Sequence, residues 1–132
     1  MKRQEERVLL YQFAEEAVPA VKEVLRKLGI QASVLEPKAW HERVGFLLSL
    51  KGFSQSTAEE EPFDFPHEAA VFHNIKGKRL DQVLQALKDG GVAHVNFKAV
   101  TTPFNLHWTL GRLCKTMHKE HAYMTERDKK PQ

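Results

Sequence analysis

The sequence predicts an α/β domain made of two β-α-β-α repeats that form one four-stranded sheet. Three observations predict it. The runs Val8-Leu9-Leu10-Tyr11 and Ala69-Ala70-Val71-Phe72 have no polar side and read as strands buried on both faces. Each run is followed by a helical stretch, a glycine and an alternating stretch. The halves also align at a constant offset. Gly29 falls on Gly91, a shift of 62, which also carries Val21 to Val83, Leu25 to Leu87, Ile30 to Val92, Leu9-Leu10 to Val71-Phe72 and Phe46 to Trp108.

The first strand is expected over 7–13. A helix follows over 15–28, with Val18, Val21, Leu25 and Leu28 on one face and Pro19 in its first turn. Gly29 stops it in a left-handed conformation. Residues 30–35 alternate, with Ile30, Ala32 and Val34 inward, as in a half-buried edge strand. A second helix is expected from Pro37, carrying Trp40, Val44, Leu47 and Leu48. Residues 53–66 are irregular and rich in Ser, Thr and Glu, the segment most suited to a mobile loop.

The second half repeats the order. A buried strand is expected over 68–74 and a helix over 78–89, with Leu80, Val83, Leu84 and Leu87 on one face. Gly90-Gly91 end that helix. Residues 92–100 alternate, with Val95, Phe97 and Ala99 on one side and His94, Asn96 and Lys98 on the other. Thr102-Pro103 reads as N-cap and first residue of a last helix running to about Tyr123. Strands 1 and 3 should be central and strands 2 and 4 at the edges. A flavodoxin-like parallel sheet of order 2-1-3-4 fits, and so does a split βαβ sheet with an antiparallel central pair. Helices are expected on both faces, because the central strands have no polar side.

The 132 residues suit one domain over 1–124, with repeat halves about 7–52 and 68–124 and a disordered tail over 125–132. A single cysteine, Cys114, excludes an internal disulfide framework. No signal peptide or membrane span is evident, so the expected location is cytoplasmic. Twenty Lys and Arg against seventeen Asp and Glu leave a net charge of +3. An acidic stretch, Glu59-Glu60-Glu61 with Asp64, opposes the basic tail. No basic stripe with aromatic platforms stands out, which argues against nucleic acid as a partner. Lys76-Gly77-Lys78 lies where a phosphate loop would, but it lacks the glycine spacing of one and reads as a turn.

Candidate chemistry concentrates between Lys98 and Thr109. Lys98, Thr101, Thr102 and Asn105 would set a cation, two hydroxyls and an amide around a helix N-terminus, a candidate small-anion site. Helix capping explains Thr-Pro-x-Asn more simply, and that reading is favoured. On a helix continued from Leu106, the residues Leu106, Leu110, Leu113 and Met117 form the core stripe. His107, Cys114, His118 and His121 fall in a neighbouring arc. Cys114, His118 and His121 have spacings suited to zinc, although a helix flank can hold such residues without a metal. Cys114 with His118 makes a poor nucleophile–base pair in mid-helix, with no third residue to orient it. Phe104 and Trp108 lie opposite the leucine stripe. They are either a partner surface or packed against Trp40 and Phe46.

The segment resembles the bacterial domain-of-unknown-function family DUF3783. The resemblance rests on Lys98-Ala99, Thr101 or Thr102, Asn105, Trp108, Leu110, Leu113 and Glu120-His121, about the last quarter of the chain. That family has no assigned activity, so the resemblance weights these positions without giving them a role. The expected function is a non-enzymatic regulatory or protein-interaction module, self-associating or binding another protein. The alternative is a domain binding a small anion or a divalent metal near the fourth strand and last helix. No complete catalytic constellation is present, and no cofactor other than zinc is suggested.

Overall fold

The computed structural model describes residues 5–56 and 65–129, with side chains described through Glu120. The elements are β1 (Arg7–Tyr11), α1 (Val18–Lys27), β2 (Gln31–Leu35), a 3₁₀ turn (Pro37–His41) and α2 (Val44–Leu47). Then follow β3 (Ala69–His73), α3 (Lys78–Asp89), β4 (Phe97–Val100), a second 3₁₀ turn (Asn105–His107) and α4 (Leu110–Lys129). The sheet order is β2-β1-β3-β4, with β1 and β3 central as expected. β1 pairs parallel with β2, and β3 parallel with β4, while β1 and β3 are antiparallel, so the split βαβ arrangement is the one adopted.

Both faces are covered, and strand alternation decides what each side meets. Val8, Leu10, Ala70 and Phe72 face Val21 and Leu25 of α1 and Val83 of α3. Leu9, Tyr11, Ala69 and Val71 face Ala39, Val44 and Leu48, together with Leu110, Leu113, Cys114 and Met117 of α4.

Most departures from the expected elements share one cause, pairing between distant segments. The helix expected from Pro37 breaks at Glu42-Arg43, which are extended. The helix expected from Thr102 begins only at Leu110, after an extended Trp108. Arg43 and Thr109 meet there as an antiparallel bridge. Val44 N donates to Trp108 O at 3.0 Å, and Leu110 N donates to Glu42 O at 2.9 Å. Two helix starts thus satisfy each other's backbone instead of extending upstream. Leu106 therefore packs from a 3₁₀ turn rather than from the helix. Two further differences are local. Val34, expected inward, is exposed on β2. α4 continues to Lys129, beyond the expected end at Tyr123. The acidic residues Glu59, Glu60, Glu61 and Asp64, within the segment expected to be a mobile loop, lie outside the described residues, as do 130–132.

The halves correspond closely, with one interruption. Leu9 lies opposite Val71 at the centre of the sheet. α1 and α3 end alike: Gly29 and Gly91 take φ of 75° and 80°. Ile30 N donates to Leu25 O, and Val92 N to Leu87 O. These are Schellman endings, and the positive φ is what calls for glycine. Beyond that point the offset changes. Arg7 pairs with Gln31, whereas Ala69, its counterpart, pairs with Phe97. Pro37 then matches Pro103, and Arg43 matches Thr109, a shift of 66 rather than 62. Four extra residues separate α3 from β4, so the strand expected from Val92 begins at Phe97, and Trp108 corresponds to Glu42 rather than Phe46.

Candidate binding cavity

The segment from Lys98 to Trp108 does not form one cleft. Lys98 lies on β4 on the α1/α3 side, beside Ala70. Thr101 turns to the other side, where its Oγ1 lies 2.9 Å from Nδ1 of His73. Burial, and then the positive charge of Arg7, hold the His73 pKa below its usual value.

Thr102 and Asn105 lock the turn after β4. Asn105 N donates to Thr102 Oγ1 at 3.0 Å, and Thr102 N donates to Asn105 Oδ1 at 2.8 Å. Asn105 Nδ2 donates to Val100 O at 3.0 Å. The Asn105 side chain is buried, with both its amide oxygen and its amide nitrogen hydrogen-bonded. This is the reciprocal bonding of a capped turn, and Asn105 stands four residues before Thr109, whose Oγ1 accepts from Arg112 N at the start of α4.

Trp108 is half-buried against the α4-side core, and the Arg112 guanidinium sits 4.2 Å from its ring centre. Phe104 is 77% exposed. Of the Cys/His arc, His107 falls on the second 3₁₀ turn, its ring 5.0 Å from that of Phe53. Cys114 is fully buried in the α4-side core, and burial pushes its thiol pKa up to about 12. His118 lies outside that core, stacked on Phe97 at 5.8 Å and His67 at 5.7 Å. Phe65 meets the same group edge-on. The side chain of His121 is outside the described residues. Among the described residues, no three His, Cys, Asp or Glu side chains gather as a metal site would require.

A concave feature lies on the opposite face. A cavity of about 660 Å³ opens between the sheet and helices α1 and α3. Val8, Leu10, Ala70 and Phe72 line it from the sheet, and Val21 and Leu25 from α1. Leu84 and Leu87 of α3 wall it. The polar lining residues are Asp81, Gln85, Lys88, His94 and Lys98. Its size and its apolar lining with few polar groups are those of a small-molecule pocket.

The four extra residues explain why the cavity is where it is. In the first half, Ile30 leads straight into β2 and is buried. Its counterpart Val92 leads instead into the added segment and stays only partly buried. Val92, Ala93, His94 and Val95 line the opening. Aligning Pro37 with Pro103 exposes the insertion in the sequence, whereas aligning the glycines alone conceals it. Among the described residues, no helix is long and apolar enough to cross a membrane.

Comparison with known proteins gives a family match. Residues 68–124, from β3 into α4, match the model of a family described as a domain of unknown function (DUF3783). No curated protein and no solved structure matches.

Proposed function

We propose that this chain, whose residues 68–124 belong to the DUF3783 family, is a non-enzymatic module that binds a small ligand in the cavity beside α3. The observation that carries this reading is the cavity of about 660 Å³, left open where the second half departs from the first. The groups that chemistry would need support a binding role over a catalytic one. Cys114 is sealed in the core with a raised pKa, and His73 is hydrogen-bonded to Thr101. Regulation would follow if occupancy moved the residue 92–95 wall.

An environment-sensitive apolar dye should bind the wild-type protein at about one equivalent. Leu84→Trp, which adds bulk inside the cavity, should lower dye affinity at least tenfold while leaving the circular dichroism spectrum unchanged. Equal dye binding by both proteins would place the apolar site elsewhere and end this reading.

A second reading is favoured by Phe104, the most exposed large apolar side chain described. An aromatic so exposed is suited to a partner surface, here a second copy of the chain. Sedimentation should show a concentration-dependent dimer that Phe104→Ser abolishes. A monomer at every concentration would remove self-association. The matching glycine caps, matching prolines and twofold-like exchange around Arg43 and Thr109 support descent of the halves from one duplicated unit, in a protein working in the cytoplasm.

A further inference from the structure

The cavity is not electrically even, and its asymmetry follows from the topology. Asp81, Leu84, Gln85 and Lys88 lie three, four and seven residues apart and so share one face of α3. Asp81 stands in the first turn of that helix and Lys88 in the last, about 10 Å apart at 1.5 Å per residue. α3 is the crossover between two parallel strands, so its C-terminal end returns to where β4 begins. Lys98, the second residue of β4, therefore lies toward the Lys88 end, and the connecting segment brings His94 there too. Lys88, His94 and Lys98 thus belong to one end of an apolar space and Asp81, the carboxylate of the lining, to the other; Asp89, at the Lys88 end, accepts from Gln85 Nε2 at 2.8 Å.

The floor at the cationic end is also distinctive. Leu10, Ala70 and Lys98 form one row across β1, β3 and β4. Leu10 and Ala70 are buried beneath the helices, and Lys98 is the member of the row that reaches the accessible part of the cavity. Lys98 is half-buried and makes no ion pair with any described residue. A lysine stem can lie on apolar surface while its ammonium stays at the rim. An ammonium without a counter-ion beside a low-dielectric space favours an incoming anion.

We infer that the ligand of this cavity is a small amphiphilic anion, with an apolar body against Leu84, Leu87, Val92 and Val95 and a carboxylate held by Lys98 with Lys88 and His94. This inference rests on the cavity being the binding site and adds the charge and polarity of the occupant. Straight-chain and ring-bearing carboxylates share this chemistry.

The test uses the full chain with octanoate, octanol, octylammonium and 2-naphthoate as probes in titration calorimetry. Octanoate should bind at least tenfold tighter than octylammonium, and that preference should shrink as salt is raised toward 1 M, because screening weakens the charge contact. Lys98→Met should cut octanoate affinity about tenfold and leave octanol unchanged. Lys98→Glu should reverse the order of octanoate and octylammonium, a result that misfolding would not produce. Tighter binding of 2-naphthoate than octanoate identifies a ring-bearing ligand, and the reverse identifies a chain. If octanol binds but charge makes no difference in wild type or either variant, the inference is overturned and the cavity reading survives. If no probe binds, octanol included, both fall.

Discussion

Cys114 and Tyr11 meet in the α4-side core, and both resist ionisation there. Burial pushes the Cys114 thiol from 9.0 up to about 12. Burial, and then proximity to Cys114, push the Tyr11 phenol from 10.0 to about 12, while its hydroxyl donates to Pro37 O at 2.8 Å. The folded state therefore holds both protons in a range where the unfolded chain releases them. Stability is full below about pH 9 and falls as pH rises toward 12. Thermal melts from pH 8 to 11 should show this loss, and Cys114→Ala should make it shallower by about 3 kcal/mol at pH 11. An unchanged slope in the variant would show that Cys114 ionises as freely folded as unfolded. At the same scale, Thr102 and Asn105 show what residues reveal alone. Their bonding to each other was legible because Thr-Pro-x-Asn is satisfied within its own turn, but the helix they were expected to cap begins only at Leu110. Lys98 was legible as a cation near the end of a helix but not as the wall of a cavity, since its neighbours there come from β1, β3 and α3.

At the scale of elements, local signals located the four strands and the helices α1 and α3, because apolar period and glycine stops act within a few residues. They failed where a backbone bond crosses the molecule. Trp40, Val44, Leu47 and Leu48 have helical spacing, yet the chain is extended at Glu42-Arg43 because Glu42 O accepts from Leu110 N. The Glu42 carboxylate is buried as well and accepts from Ser56 N at 2.6 Å. No window around residue 42 contains that information. The insertion before β4 was hidden for a related reason. Val92, Val95 and Phe97 fit an alternating strand too loosely to locate its start, which the pairing of Ala69 with Phe97 decides. Deleting Ala93–Asn96 would give the second half the connection of the first. The shortened protein should retain its fold, since Gln31 enters β2 directly after Ile30, and it should lose dye binding by at least tenfold. Full dye binding in a folded deletion variant would show that the added segment does not shape the cavity.

Across the whole molecule, the sequence supported the order of strands better than their direction. Fully apolar strands belong in the centre whichever way they run, which made β1 and β3 legible as neighbours. Their antiparallel pairing is decided outside the strands, and no residue pattern within a strand reports it. The same pairing sets Leu9 against Val71 and carries the near-twofold relation through to Arg43 and Thr109 on the α4 side.

The opposition of Leu9 and Val71 has a kinetic side. Each parallel pair can form within its own half, but the middle of the sheet joins residues 62 apart in sequence. Closing so long a loop must be met in entropy before the central contacts form. Until then both apolar strands have an open edge of the kind that invites pairing between chains. The step that completes the sheet is thus also the step that competes with aggregation, and the time spent before it grows with the separation of its two middle strands.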